Sequence, residues 1–236
     1  MNTKINTKIV KLMKYYSYIN HKFFYNNKAI NRYILKNYSL KVNALKELEK
    51  LKLDISKVTN CDLKNNAKNL VFADGNPNSK IVIIGEGPGA NEDIEGIPFV
   101  GRAGKLLDKM LSSIGLSRQN VYITNVVNFR PPENRKPTEL EIKRYLPFLL
   151  KHIQIINPKI LILLGSTALN AIIGDEVVIS KARGKWYRRK IGPISVDVIP
   201  SFHPAFLMRQ PDQKKMAWVD LKMVKEKIKN LKIKIG

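Results

Sequence analysis

The sequence is poor in cysteine and in long apolar segments. Its one cysteine, Cys61, excludes an internal disulfide and, by itself, a metal site held by thiolates. No apolar run approaches the roughly 18 consecutive residues that span a membrane, and the N-terminus lacks the apolar stretch and cleavage site of a secretory signal. These absences predict a cytoplasmic protein. The N-terminal segment is basic and has no acidic residue before Glu47, so a transit-peptide-like or membrane-surface segment is an alternative.

Acidic side chains are also scarce: 19 Asp and Glu stand against 42 Lys and Arg, a formal net charge of +23. An excess of this size favours binding to a polyanion. The alternative is a compositional bias towards lysine, isoleucine and asparagine, which raises the charge without any partner. Charge contributes affinity and salt sensitivity but no reaction. The chemistry must therefore come from a specific site.

Residues 1–40 are predicted to form a basic, aromatic N-terminal extension, followed by one domain at residues 41–236. Aromatic residues of the extension lie among lysines and asparagines: Tyr15, Tyr16, Tyr18, Phe23, Phe24 and Tyr25. Such rings can stack on exposed nucleic-acid bases, but we favour one or two helices packed on the domain or a poorly ordered tail. Apolar spacing from Leu40 to Leu53 predicts an amphipathic helix.

After this helix the apolar pattern alternates between strands and helices. Strands are predicted near 80–85, 121–126, 159–165 and 194–200, and helices near 102–115, 138–156, 166–173 and 214–232. Runs such as Ile160 to Leu164 are apolar without alternation, which is typical of parallel strands buried on both faces. The predicted fold class is therefore α/β: a three-layer α/β/α sandwich with a central four-stranded, mainly parallel sheet.

The loop from Gly85 to Asp93 follows the first predicted strand and combines glycines with carboxylates. Its glycines fit the dinucleotide-binding pattern G-x-G-x-x-[GA], which is the alternative interpretation. Pro88 opposes that interpretation because it removes a backbone N–H donor, and Glu92 with Asp93 would repel a pyrophosphate. The loop therefore favours a largely neutral ligand approached closely by the backbone.

Each of the other predicted strands also ends in residues suited to binding. Asn125 ends the second, Gly165 and Ser166 follow the third, and His203 follows the last. Because ligands of open α/β sheets bind beyond the carboxyl ends of the strands, these groups are expected to converge on one crevice. Phe99, fourteen residues after Gly85, would add an aromatic ring.

These segments resemble the uracil-DNA glycosylase superfamily, most closely its iron–sulfur branch, family 4. The resemblance runs from about Cys61 to Trp218. It is carried by these segments in order: GEGPG with a trailing ED at 85–93, GIPFVGRAG at 96–104, ITN at 123–125, RPPENRKP at 130–137, LLGSTA at 163–168, RGKWY at 183–187 and FHPAFLMR at 202–209.

The resemblance implies a monofunctional hydrolase of base excision repair that flips uracil out of DNA, cleaves its N-glycosidic bond and leaves an abasic site. Phe99 would stack on the uracil, and Asn125 would read its O4 and N3–H. A backbone N–H near Gly87 would help to hold the uracil oxygens. His203 would donate a hydrogen bond to O2 and stabilise the departing uracil anion.

An acid is also needed to position the attacking water and to favour the cationic sugar. The resemblance favours Glu92 for this role, with Glu86 and Asp93 as alternatives. We expect a monomer that acts on uracil-containing DNA, single- or double-stranded, and that has no membrane partner.

The resemblance further implies a set of DNA contacts. Arg130, Arg135 and Lys136 would bind phosphates, as would Arg183 and Lys185. Ser166 would offer backbone N–H groups at a helix start. Leu207 or Met208 would wedge into the space left by the flipped base, beside Arg209. For the charged residues, a solvated surface is the alternative.

Family 4 members hold a [4Fe–4S] cluster with four cysteines, and this sequence departs from that pattern. The corresponding positions are Val58, Cys61, Phe129 and Tyr145. One thiolate cannot hold the cluster, and the large rings can fill part of the space. The sequence therefore predicts no cluster and no other cofactor or metal.

Two leading hypotheses of function remain, and a nucleotide-dependent oxidoreductase, which would require NAD binding, is the third. The first is the active uracil-DNA glycosylase. The second is a catalytically silent nucleic-acid-binding module on the same fold. Both predict salt-sensitive DNA binding, so only detection of the product separates them.

Overall fold

A computed structural model describes residues 32–174 and 177–235 of the chain. The chain divides into two units, Met1–Leu40 and Lys41–Gly236. The predicted aromatic extension falls almost entirely outside the described residues, so its conformation and its role stay predictions. The second unit carries the sheet and the candidate site, and the account below concerns that unit.

Helices and strands alternate along most of the second unit. In chain order the described helices are α1 (Arg32–Ser56), α2 (Asp62–Asn66), α3 (Ala90–Glu95), α4 (Arg102–Ser113), α5 (Glu139–Ile156), α6 (Ser166–Ile172), α7 (Ile179–Ala182), α8 (Pro204–Arg209) and α9 (Lys214–Asn230). The strands are β1 (Asp74–Gly75), β2 (Ile81–Gly85), β3 (Tyr122–Asn125), β4 (Ile160–Leu164), β5 (Tyr187–Ile191) and β6 (Ile194–Ser201). Short 3₁₀ helices lie at Pro132–Asn134 and Pro211–Gln213.

The six described strands form one sheet in the order β1-β3-β2-β4-β6-β5. The four central strands, β3, β2, β4 and β6, are parallel, as the apolar runs predicted. Two antiparallel edge strands were not predicted: β1 pairs with β3, and β5 pairs with β6. Strand β1 has two residues, too few for a pattern. Strand β5 reads YRRKI, and such a charged, half-exposed strand lacks the apolar run of a central one.

Alternate residues of the central strands face two separate apolar layers. Val82 and Ile84 of β2 belong to a core shared with α1 and α5, whereas Ile81 and Ile83 belong to a core shared with α4 and α9. This alternation gives the three-layer α/β/α sandwich, because a parallel sheet must be covered on both faces. None of the described helices is long and apolar enough to cross a membrane.

The parallel pairing places the carboxyl ends of the central strands along one edge of the sheet. Gly85 of β2 lies opposite Asn125 of β3, and Leu164 of β4 lies opposite Ser201 of β6. The loops that follow these residues carry the candidate functional groups. The fold therefore gathers segments that are more than one hundred residues apart in sequence.

Candidate active site

One pocket at this edge brings together Glu92, Phe99, Asn125 and His203. Glu86 and Gly87 of the glycine-rich loop also line it, as do Pro131 and Arg135 of the loop after β3 and other neighbours. The pocket combines a ring, an amide, carboxylates and an imidazole. These groups can bind a planar, polar, mostly uncharged ligand.

The Phe99 ring is fixed by an unusual backbone conformation. Phe99 has a φ of +57°, a left-handed value that costs free energy in a residue with a side chain. The Arg118 guanidinium donates hydrogen bonds to the carbonyl of Phe99 and, at 3.1 Å, to that of Pro98. A Cβ at Gly104 would lie 1.6 Å from the same Phe99 carbonyl oxygen, so this position requires glycine.

Asn125 ends strand β3 with its side chain 3% exposed. Its Oδ1 is buried and has no hydrogen-bond partner within the described part of the chain. An unsatisfied buried oxygen costs roughly 1–3 kcal/mol, so a ligand that supplies an N–H donor there would recover this free energy. A Cβ at Gly85 would lie 2.4 Å from Oδ1 and 2.5 Å from the Phe99 ring. The amide and the ring therefore meet above Gly85, where no side chain separates them.

Glu92 lies in the first turn of α3 and ties two loops together. Its Oε2 accepts from the Gly89 N–H at 3.1 Å, and its Oε1 accepts from the Gly101 N–H at 2.8 Å. These two backbone donors fix the position of the Glu92 carboxylate. They also leave each oxygen further lone pairs, so that Glu92 can still orient a water molecule.

His203 is the N-cap of α8, and its Nδ1 accepts from the Ala205 N–H at 3.2 Å. Because Nδ1 is the acceptor, the neutral ring carries its proton on Nε2. Burial, followed by the positive charge of Arg209, lowers the pKa of His203 to about 4. The ring lies 5.6 Å from the Phe99 ring between centroids. At neutral pH the pocket therefore contains a neutral imidazole that can donate from Nε2.

The two alternative acids occupy different environments. Glu86 lines the pocket, and its Oε2 accepts a hydrogen bond from Thr167 Oγ1. Asp93 is 2% exposed, is not among the residues that line the pocket, and accepts from the backbone N–H groups of Lys68 and Asn69. Its carboxylate binds the segment before β1. Asp93 therefore does not share the pocket with Glu92 and Glu86, the candidates for positioning the water.

Gly87 lines the pocket as expected of a backbone donor near the ligand. A Cβ there would lie 2.8 Å from Val127 Cγ2, so the loop approaches the chain after β3 closely. A larger residue at 87 would push the loop outward.

Several predicted DNA contacts lie around the mouth of this pocket. Arg135 lines it, and Lys136, Ser166 and Arg209 line an adjoining cleft that shares His203 and Glu86 with it. Arg130 donates to Asn134 Oδ1 at 2.8 Å, and Arg135 forms a bidentate pair with Glu141. Lys185 is exposed, and Met208 is half-buried in a groove beside α4.

Two of the predicted DNA contacts are corrected by their packing. Arg183 is not a free cation: its guanidinium binds the buried Asp220 carboxylate and lies over the Phe202 ring. Leu207 is 1% exposed and packs against Phe202 and Ala217, so it cannot act as a wedge. Met208 remains the candidate for that role. Sequence position alone could not distinguish the inward from the outward face of such a short helix.

The four positions that correspond to cluster cysteines lie in one apolar core. Cys61, Phe129 and Tyr145 are buried there, and Val58 packs against them. The Phe129 and Tyr145 rings meet edge to face at 6.3 Å, and the Cys61 Sγ lies 3.3 Å from the Tyr145 hydroxyl. A four-iron cluster needs a set of thiolates, and these side chains do not supply it.

Arg118 and Thr167 contact candidate site residues and were not singled out by the sequence. Arg118 lies on the loop before β3, outside every motif, and reaches Phe99 only through the fold. Thr167 belongs to the LLGSTA segment, yet its contact with Glu86 joins residues that are 81 positions apart. Only the three-dimensional pairing of β2 with β4 brings them together.

Comparisons with known proteins show to which family the chain belongs. Residues 72–222 match the family model of the uracil DNA glycosylase superfamily. A type-4 uracil-DNA glycosylase of Thermotoga maritima is 46% identical over 159 residues, which is 66% of this chain and 80% of that protein. The type-4 enzymes of Sulfurisphaera tokodaii and Archaeoglobus fulgidus are 42% and 38% identical, over 76% and 77% of this chain and 84% and 94% of their own lengths. The chain belongs to the uracil-DNA glycosylase superfamily.

Proposed function

We propose that this protein is a monofunctional glycosylase that hydrolyses the N-glycosidic bond of uracil in DNA. The observation that carries the proposal is the buried Oδ1 of Asn125, which has no hydrogen-bond partner among the described residues and shares a pocket with Phe99, Glu92 and His203. Type-4 uracil-DNA glycosylases are similar to this chain over most of its length, which supports the same conclusion.

Recognition begins once the nucleotide has rotated out of the DNA. Its base lies against the Phe99 ring, and the Asn125 amide faces the edge that carries N3–H and O4. Oδ1 accepts from N3–H, and the amide nitrogen donates to O4. Cytosine presents an unprotonated N3 and an amino group at this edge, so both hydrogen bonds fail. An unpaired buried group costs roughly 1–3 kcal/mol, which selects uracil over cytosine.

Bond cleavage separates charge between the base and the sugar. The electrons of the N1–C1′ bond leave with uracil as an anion, and C1′ becomes cationic. His203 donates from Nε2 to the O2 atom, where much of the negative charge develops. A neutral imidazole suits this task because it donates a hydrogen bond without giving up its proton. The low pKa of His203, about 4, supports this assignment.

Hydrolysis is completed when the oxygen of a water molecule forms a bond to C1′. Glu92 orients this water and favours the cationic sugar, because its carboxylate is held by two backbone donors. The water proton leaves to Glu92 or solvent, and the uracil anion is protonated after release. Glu86, which also lines the pocket, is the alternative for this role.

The basic side chains around the pocket are proposed to bind the phosphates of uracil-containing DNA, single- or double-stranded. Arg130, Arg135, Lys136, Lys185 and Arg209 serve this purpose, and Ser166 offers backbone N–H groups. Met208 fills the space that the flipped base leaves. We expect the protein to act as a cytoplasmic monomer in base excision repair.

We further propose that the protein folds and acts without the [4Fe–4S] cluster that its resemblance to family 4 implies. The packing of Cys61, Phe129 and Tyr145 in one buried core supports this, because the four positions together supply a single thiol. Anaerobically purified protein is expected to lack absorption near 400 nm and stoichiometric iron. Either signal would overturn the proposal.

A uracil-containing oligonucleotide tests the activity directly. The protein is expected to release free uracil and leave an abasic site that breaks in alkali, from single- and double-stranded DNA. His203→Ala is the matched inactive variant and should still bind the DNA. If the wild-type protein binds but yields no abasic product, the silent binding module replaces the enzyme as the explanation.

A further inference from the structure

Two adjoining concavities form a groove between helices α4 and α9, outside the proposed active site. They share Leu106, Lys109 and Lys214, and extend to Met208 at one end and Trp218 at the other. We name this the α4–α9 groove, defined by Lys105, Leu106, Lys109, Met208, Lys214 and Trp218. None of these residues has been given a role above except Met208.

The charges of the α4–α9 groove are all positive. Lys105, Lys109 and Lys214 are exposed, and Arg102 continues the row towards the active site. Residues 102, 105 and 109 share one face of α4 because their spacing follows the helical repeat. Among the described residues none of these four cations forms an ion pair, and no acidic side chain lines the groove. A polyanion therefore meets attraction along the entire row.

An exposed indole lies at the far end of the row. Trp218 is 43% exposed and borders the groove beside Leu106 and Met110. The other tryptophan, Trp186, is half-buried against the core of α4 and α9, and Lys227 lies over its ring at 4.9 Å. Trp218 thus combines an exposed indole with neighbouring cations, which is the combination that single-stranded nucleic-acid sites use for base stacking.

The groove starts next to the proposed active site. Helix α4 begins after Gly101, whose N–H holds Glu92, and Met208 lies five residues after His203. From Arg102 to Lys109 the helix rises about 10 Å, at 1.5 Å per residue. That length corresponds to about three nucleotides of one strand at 3.4 Å each. A strand that leaves the pocket can therefore follow the row of cations.

We propose that the α4–α9 groove binds the DNA strand that flanks the flipped nucleotide. Its phosphates lie on Lys105, Lys109 and Lys214, and one unstacked base lies on the Trp218 indole. The identity of the strand as uracil-bearing DNA rests on the proposed function, whereas the affinity of the groove for single-stranded DNA does not. The groove would thereby favour single-stranded or locally opened DNA.

The charge of the groove is tested with the triple variant Lys105→Gln, Lys109→Gln, Lys214→Gln. The matched control is Lys46→Gln, Lys50→Gln, Lys57→Gln, which removes the same charge from exposed positions on and just after α1, in the opposite layer. Binding of a uracil-free single strand is followed by fluorescence anisotropy at several salt concentrations. Circular dichroism checks that each variant is folded.

The groove variant is expected to make the negative slope of log K against log salt shallower by about 2, at about 0.7 per phosphate contact on a single strand. A slope change of about 2 corresponds to a loss of about 100-fold in affinity at 0.1 M salt, taken relative to 1 M salt. The control variant should change neither the slope nor the affinity. An unchanged slope, or an equal loss in the control, overturns the proposal. Because the DNA contains no uracil, the outcome is independent of whether the pocket is catalytically active.

The stacking of a base on Trp218 is tested by fluorescence in two single variants. Trp186→Phe retains only Trp218 and should be quenched when the single strand is added. Trp218→Phe retains only Trp186 and should not be quenched. Absence of quenching in the first variant, or quenching in the second, overturns the stacking assignment.

Discussion

Asn125 illustrates how a single side chain can be arranged for a ligand instead of for the fold. Its Oδ1 gains no hydrogen bond from the described protein residues, although it is buried at the end of a central strand. Such a group destabilises the free protein. The unpaired oxygen therefore makes binding to an N–H donor more favourable.

Replacement of Asn125 by alanine separates binding from stability. Asn125→Ala should lower kcat/KM for uracil excision about 5- to 150-fold, the equivalent of roughly 1–3 kcal/mol. The melting temperature should not fall by the amount expected of a lost hydrogen bond, because Oδ1 accepts none from the residues that the structure describes. Steady-state kinetics and thermal unfolding provide the two measurements. A large loss of stability with unchanged kinetics would contradict this account.

Glu92→Gln tests the proposed chemistry of the carboxylate. The substitution removes the charge that favours the cationic sugar and turns an amide N–H₂ towards one of the two backbone donors. The single-turnover rate should fall about 100-fold or more. Glu95→Gln is the control, because Glu95 is exposed on the same short helix and does not line the pocket. Equal rates for both variants would remove Glu92 from the mechanism.

At the scale of elements, the sequence predicted the repetitive parts of the fold and missed the short connectors. The four central strands and helices α4, α5, α6 and α9 appear near their predicted positions, since long apolar patterns set them. Helices α3 and α8 have six residues each, too few for a period to be visible. The candidate site was predicted through strand ends and the family resemblance. The inward face of Leu207 and the Arg183–Asp220 pair needed the packing of α9.

Arg118 connects the segment that carries Phe99 to β1 and α4. It binds the carbonyls of Pro98 and Phe99 and pairs with the carboxylates of Asp74 and Asp108. We regard it as a positioning residue, because it holds the left-handed Phe99 and is not among the residues that line the pocket.

Arg118→Met should raise KM for uracil DNA about tenfold and change kcat less, since the stacking ring loses its fixed position while His203 and Glu92 stay in place. Arg118→Lys should rescue only part of the loss, because an ammonium cannot reproduce the planar fork of donors. Arg188→Met serves as the control: Arg188 lies on the edge strand β5, its side chain is 62% exposed, and it pairs with Asp197 of β6. An effect on kcat alone would argue against a positioning role.

At the scale of the whole molecule, the buried His152 makes the stability of the folded protein depend on pH. Burial lowers the pKa of His152 to about 3, and its Nδ1 lies 3.0 Å from the Tyr122 hydroxyl. The ordinary pKa of histidine is about 6.5. Between these two values the unfolded chain binds a proton that the folded protein does not. Stability is therefore lost as the pH falls below about 6.5.

Urea unfolding at pH 7 and pH 5 measures this effect. His152 should account for about 2 kcal/mol of the stability lost between these pH values. His152→Leu should lose correspondingly less over the same interval, whatever its absolute stability at pH 7. The same loss in both proteins would show that His152 is not the group that titrates.

Glu92 also closes a ring in the chain, from Gly89 through α3 to Gly101. The carboxylate that is proposed to orient the water therefore also holds together the loop that carries it. A substitution of Glu92 that removes its role in catalysis therefore also removes hydrogen bonds that hold this loop. Loss of the carboxylate at position 92 carries a cost in the stability of this loop that loss of the His203 imidazole does not.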